Sequence, residues 1–246
     1  METFSLWAFL PPMFSVCTAS GLWIVYFVAV YNENITPLTS QHRGRNGTLY
    51  PPYISIAGNF PPASCIFSEV MNLAAFLGFI IGILRFLQLN HRIDKAWLNF
   101  VSMFAFLFGC FGMTLVGNFQ LFAMGMLHDF GTLMTFGLGI LYCWMQSYIT
   151  LRVNLKNEGR NVAIARFLLS ASITLCLILT YSFIMISHMH AARCQWALVM
   201  LFLIFIGTLG IEFRHCRFEM AFKDTGRRST SKRETSEVFR DELDEL

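Results

Sequence analysis

Hydrophobic residues recur along this chain in runs of about 20, separated by short polar connectors. That is the length an α-helix needs to cross a hydrocarbon core of roughly 30 Å. The runs occupy about residues 11–31, 65–84, 98–116, 130–151, 167–187 and 194–211. The pattern predicts an all-α, polytopic six-helix transmembrane bundle. Only one long hydrophilic connector interrupts it, residues 32–64, and a polar tail, 214–246, follows. The tail is too charged and too poor in apolar residues to pack, and is expected to be disordered.

Prolines sharpen the boundaries. Pro11-Pro12 fits a helix start, where missing amide donors cost nothing. Pro51-Pro52 and Pro61-Pro62 fix φ and lack donors, so they predict extended, non-helical chain between the first two spans. Residues 32–64 are therefore expected to form a structured cap at the membrane surface, with Ser64-Cys65 opening the second helix. Cys17-Thr18-Ala19 has the small-x-small pattern of a signal-peptide cleavage site. However, Glu2 stands where a basic region belongs and apolar sequence continues to Val30, so the first span is expected to be retained.

Composition excludes a soluble reading. Hydrophobic residues make up 55% and charged residues 13%, with 26 phenylalanines, whereas a soluble domain carries about 25% charged residues. The net charge of +3 says less than its distribution. Of the 18 Lys and Arg, all but Arg43, Arg45 and Arg193 fall in the second–third connector, the fourth–fifth connector or the tail, with their flanks. Basic residues favour the cytosolic side, so both termini are expected there. The sequons Asn34-Ile35-Thr36 and Asn46-Gly47-Thr48 both lie in the connector this places outside. Asn34 is close to the membrane edge, which makes Asn46 the better glycan acceptor.

Candidate chemistry is sparse. Glu69 is the acidic residue set furthest into an apolar run, and an intramembrane carboxylate should face protein or water. A structural partner, Arg193 or His128, and an ion or proton pathway are equal readings. Asn72, Asn118, Gln120, His128, Asp129, His188, His190 and Gln195 collect at outer span ends and could line a polar vestibule with Glu69. The histidines and Asp129 are metal-ligand types, but their spacing defines no site, and interfacial hydrogen bonding is the default. Cys17, Cys110, Cys143 and Cys176 fall inside spans as small apolar residues. Cys65 and Cys194 fall at outer span ends, where an oxidising compartment would permit a disulfide. Gly131, Gly137 and Gly139 would let helices approach closely.

In the tail, Cys216 suits juxtamembrane palmitoylation. The basic run Arg227–Arg233 could bind anionic lipid and be released by phosphorylation at Ser229 or Thr230, against a solvated tail as the default. The final Leu243-Asp244-Glu245-Leu246 lacks the basic residue of a retention signal, and a cytosolic end would not meet a lumenal receptor. No Walker loop, His-Glu-x-x-His or nucleophile elbow is present, so neither an enzyme nor a cofactor is expected, and nothing suggests nucleic-acid binding.

Several short motifs together carry a resemblance. Pro51-Pro52-Tyr53-Ile54-Ser55, Pro61–Cys65, Gly117-Asn118-Phe119-Gln120, His128, Cys194-Gln195-Trp196 and Glu212-Phe213 resemble the damage-regulated autophagy modulator (DRAM) family, over about Trp7 to Phe213. Within it the tentonin branch is most similar. The resemblance implies six spans in the plasma membrane and endosomal or lysosomal membranes. For the tentonin branch it implies a component or modulator of a mechanosensitive cation channel; for other branches, autophagy modulation or recruitment of a phosphoinositide kinase. Gln195 stands where most of the family has Glu, as in the tentonin branch, while Asp129 follows His128 as in the autophagy branch. The expected function is therefore a channel component or modulator, with a pore-free trafficking or phosphoinositide adaptor as the alternative. Glu69 and Asp129 would form an outer cation-attracting mouth. The phenylalanine-rich third span, Phe100 to Phe111, makes a single bundle look sealed, so a pore would need a homo-oligomer or a partner subunit.

Overall fold

The computed structural model describes residues 5–40, 49–90, 92–153 and 159–214. A turn of 3₁₀-helix, Leu6–Phe9, leads into α1, Leu10–Tyr31, with its prolines in the first turn. The cap holds the four-residue α2, Ile54–Ala57. Then come α3, Ala63–Leu89, and α4, Ala96–Asn118. The next helical stretch is segmented into α5, Gly125–Leu133, a π-helical turn, Met134–Leu138, and α6, Gly139–Val153. Last are α7, Gly159–Ile184, α8, His188–Gly207, and the short α9, Gly210–Phe213.

The fold is all-helical, and five helices are long and apolar enough to cross a membrane: Leu6–Tyr31, Ala63–Leu89, Ala96–Asn118, Gly159–Ile184 and His188–Phe213. The expected fourth span corresponds to the α5–π–α6 stretch, whose separate segments are each too short to cross. The π turn has a local cause. Thr135 Oγ1 bonds back to the Gly131 carbonyl at 2.8 Å, and Gly137 and Gly139 leave the ladder little side-chain support; such hydroxyl back-bonds loosen helices.

Inside a bilayer apolar burial gives helices no reason to associate, so close packing and polar contacts must hold them. Gly112 and Gly131 bring α4 and α5 backbone to backbone: a Cβ on Gly112 would lie 2.7 Å from the Gly131 carbonyl oxygen. Gly139 accommodates Phe202, whereas Gly137 meets almost nothing. The row Phe100, Phe104, Phe108 and Phe111 does not fill the bundle; all four are exposed and face the bilayer. A buried aromatic layer does the filling, with Phe106 stacked on Tyr142 at 4.3 Å and Phe205 beside them.

The outer cap is structured, but not simply extended. At Pro51-Pro52 the chain is non-helical but turns tightly, the Tyr53 amide donating to the Pro51 carbonyl at 2.9 Å, whereas Pro61-Pro62 makes a turn that caps α3 and α2 interrupts the stretch. Trp196 donates to the Pro52 carbonyl at 2.9 Å and stacks on Trp23 at 4.6 Å. The Ile54 amide donates to Gln195 Oε1 at 3.0 Å, and the Leu38 amide to the Tyr26 hydroxyl at 2.9 Å. Arg193 donates to the carbonyls of Leu38 and Ser40 at 2.9 and 2.7 Å. At the end of α1, Glu33 takes φ 55, a position that favours glycine. Asn34 is half-buried just after it, above a buried Thr36. Asn46 lies outside the described residues.

Candidate functional site

Two polar clusters occupy opposite ends of the bundle. The inner one was not anticipated from sequence. The expected second span stopped at residue 84 and the fifth began at 167, so Arg85 and Arg166 were assigned to connectors, and Glu212 to the tail. Instead α3 runs on to Leu89, α7 starts at Gly159 and α9 returns Glu212 to the bundle. Arg85 and Arg166 are 1% and 0% exposed and Glu212 6%.

Glu212 bridges both arginines: Arg85 Nη2 reaches Oε1 at 2.8 Å and Arg166 Nη2 reaches Oε2 at 2.6 Å. The remaining donors are met as well. Arg85 donates from Nε to Gln146 Oε1 at 2.9 Å and from Nη1 to Gln88 Oε1 at 2.6 Å. Arg166 donates from Nε to Thr208 Oγ1 at 3.0 Å and from Nη1 to Thr150 Oγ1. Gln88 also donates to the Glu212 backbone carbonyl at 2.8 Å, and Gln146 to Ser102 Oγ at 2.8 Å. Helices α3, α4, α6, α7 and α9 are thereby tied at one level. Charges fixed in low dielectric are tolerable only when well hydrogen-bonded, and here every guanidinium nitrogen of both arginines has a partner.

The outer cluster is the opposite case. A cavity of about 280 Å³ opens between α5 and α7, lined on one side by His128, Asp129 and Thr132 and on the other by Thr180 and Tyr181. Tyr53, His188 and Gln195 close its outer rim. Helix α5 packs along α4 whereas α6 packs along α7, so the stretch leans away from α7 only in its outer half. The 2%-exposed His128 sets Nδ1 2.7 Å from the Phe119 carbonyl. A carbonyl only accepts, so Nδ1 carries a proton; Nε2, an acceptor in a neutral imidazole, is buried and has no partner among the described residues. The Tyr53 hydroxyl lies 3.2 Å from His188 Nδ1, and burial pushes the Tyr53 phenol above its ordinary range, keeping it a donor.

A second, more enclosed cavity of about 80 Å³ continues inward and shares Ser55, Thr132, Phe136, Gln195 and Leu198 with the first. Its other walls are apolar, among them Phe14, Met113, Phe202 and Leu203, apart from Thr18 and Thr135. The π turn supplies Thr135 and Phe136 to this inner chamber.

Comparison with known proteins now decides the family. A family model described as the Frag1/DRAM/Sfk1/Cwh43P N-terminal domain matches residues 6–216. The chain belongs to that family. Among relatives of the Frag1/DRAM family, the modulator of macroautophagy TMEM150B of Xenopus tropicalis is 32% identical over 85% of this chain and 87% of its own length. The Danio rerio protein of the same name is 33% identical over 86% and 88%. Human transmembrane protein 150A is 29% identical over 84% and 83%. These relatives do not single out the tentonin branch. No solved structure matches the chain.

Of the residues expected to form a vestibule, the Frag1/DRAM fold gathers His128, Asp129, His188 and Gln195. It separates others. Asn72 and Asn118 exchange side-chain amide bonds at 3.0 and 2.9 Å, clasping α3 to α4. His190 turns to Ser187. Glu69 is exposed on α3, is absent from the lining of the cavity that holds Asp129, and pairs with neither Arg193 nor His128, both committed to carbonyls. Glu69 and Asp129 therefore do not line one cavity. Cys65 and Cys194 are free thiols, so the pairing considered from sequence is not formed here. Among the described residues no cluster of three His, Cys, Asp or Glu could hold a metal. Cys216, Ser229, Thr230 and the basic tail run lie outside the described residues.

Proposed function

We propose that this protein is a pore-free membrane modulator of macroautophagy and endolysosomal trafficking. The observation that carries this reading is the similarity, at 32–33% identity over most of the chain, to proteins named modulators of macroautophagy. Its topology is six crossings with both termini cytosolic, and its cap is lumenal or extracellular, carrying a glycan at Asn46. The trafficking reading has more support than the channel component expected from the tentonin resemblance. Phe106, Tyr142 and Phe205 lie about one turn outward of Ser102, Gln146 and Thr208, so an aromatic layer stands between the outer cavity and the inner network. The three rings bring a single polar atom to that layer, the buried Tyr142 hydroxyl, whereas ion conduction needs a continuous wet path. The modulator acts by what it binds or displays at the membrane, and needs no reaction chemistry.

Autophagic flux tests the proposal. Cells lacking the protein should show altered turnover of an autophagosome marker under lysosomal block, restored by re-expression. The purified protein in stretched liposome patches should stay silent. Unchanged flux together with stretch-gated cation current from the protein alone would replace this reading with the channel.

A further inference from the structure

We propose that the outer cavity is a binding site for a single-chain membrane amphiphile with an amine head group, admitted sideways from the outer leaflet between α5 and α7. Three independent observations converge. The cavity is wedged open because α5 follows α4 while α6 follows α7, and the exposed Asp129 and Tyr181 stand on the two sides of its mouth. Its interior is graded: a polar outer part bearing His128 and Asp129 leads into the apolar chamber walled by Phe14, Met113 and Phe202. Finally, His128 Nε2 is buried with no hydrogen-bond partner among the described residues, an arrangement that is unfavourable unless something meets it.

These features specify the ligand. A cavity with a polar end and an apolar end fits an amphiphile rather than a soluble metabolite. Together the two parts reach the lower end of the roughly 300–1,000 Å³ usual for ligand pockets, which suits one chain and excludes a bulky two-chain lipid held entirely within. The lining offers hydroxyl and amide groups that can serve either role, Thr132, Thr180, Tyr181 and Gln195, and a single carboxylate, Asp129, with the His128 imidazole beside it. A protonated amine pairs with the Asp129 carboxylate, and a small shift of the His128 ring would let the same head donate to Nε2 whenever the imidazole is neutral. A carboxylate- or phosphate-headed amphiphile would leave Nε2 unpartnered and set like charges together. The π turn fits the same role, since such turns widen a helix locally at functional sites.

Photocrosslinking tests the assignment on the full-length protein in membranes. The probe is sphingosine carrying a diazirine in its chain, with a diazirine fatty acid of similar length as comparator. The amine-headed probe should label peptides from Thr132–Phe136 or Leu177–Thr180, in preference to the acid. Asp129→Asn, a change at an exposed side chain, should lower that labelling roughly three- to tenfold, as expected for loss of a partly screened charge-assisted contact. His128→Gln should lower it as well, and a thermal melt of each variant distinguishes loss of the site from loss of the fold. Equal labelling by the two probes, or labelling of a correctly folded Asp129→Asn protein at the wild-type level, would overturn the proposal. So would crosslinks confined to the bilayer-facing phenylalanines of α4.

Discussion

The two ends of this bundle solve the same problem in opposite ways. At the inner end two arginines and a glutamate are almost fully withdrawn from solvent, yet their donors are met by Glu212, Gln88, Gln146, Thr150 and Thr208. At the outer end a single buried histidine has half of its hydrogen-bonding capacity unused beside a cavity. A saturated network has nothing left with which to bind, and much to lose if one member goes. An unsaturated one costs stability in the empty state but keeps an interaction in reserve. The difference separates a structural bolt from a site, although the bolt holds far more charge.

The largest effect should come from breaking the bolt. Glu212→Gln leaves two buried guanidinium groups without a counter-charge, and removing one partner of a buried pair typically costs about 3–5 kcal/mol. The purified variant should melt well below the wild type and accumulate poorly in cells. A melting temperature within a degree of wild type would mean that the network is solvated after all. Next comes the glycine contact that holds α5 against α4. Gly131→Ala would set a Cβ 2.7 Å from Leu115 Cβ and 2.9 Å from the Gly112 carbonyl oxygen, and such overpacking costs about 1–3 kcal/mol. If α5 yields by moving towards α7, labelling of the outer cavity should fall along with stability; a loss of stability with labelling intact would uncouple the two.

Smaller effects sharpen the contrast. The Tyr142 hydroxyl is buried with no partner, so Tyr142→Phe should leave stability unchanged or raise it by about 1 kcal/mol. A loss of similar size would show that the hydroxyl is satisfied, for instance by water from the neighbouring network. Asp129→Asn and Glu69→Gln, both on exposed side chains, should each shift stability by less than about 0.5 kcal/mol.

The sequence made the outer end more legible than the inner one. Its proline pairs mark a cap that would be built, and the cap rests on Trp196 and Gln195. The inner end was misread because a charge was taken to end a span, which is right for a residue that reaches the interface and wrong for one turned into the bundle. A signal was present. On α3 the buried positions Gly78, Ile81, Arg85 and Gln88 continue one helical stripe, and on α7 Gly159, Ala163, Arg166, Ser170 and Ile173 do the same. Small and polar residues at that spacing mark the face that packs on other helices, so an arginine among them belongs inside. Nothing local could reveal Glu212, which arrives after the break at Thr208-Leu209 to meet residues more than forty positions away. The cavity was equally hidden, since it arises from the lean of α5 and no residue pattern encodes an angle.

The claim that the inner charges act as one saturated unit is tested most directly by a double-mutant cycle on Arg166 and Glu212, read by thermal or denaturant unfolding of the full-length protein. Glu212→Gln alone leaves both arginines uncompensated, whereas Arg166→Gln with Glu212→Gln leaves only Arg85, still held by Gln88 and Gln146. The double variant should therefore be more stable than the sum of the single losses implies, by about 1–3 kcal/mol, the range found for residues in direct contact. Losses that add to within about 0.5 kcal/mol would contradict the account and make Arg166 and Glu212 independent neighbours.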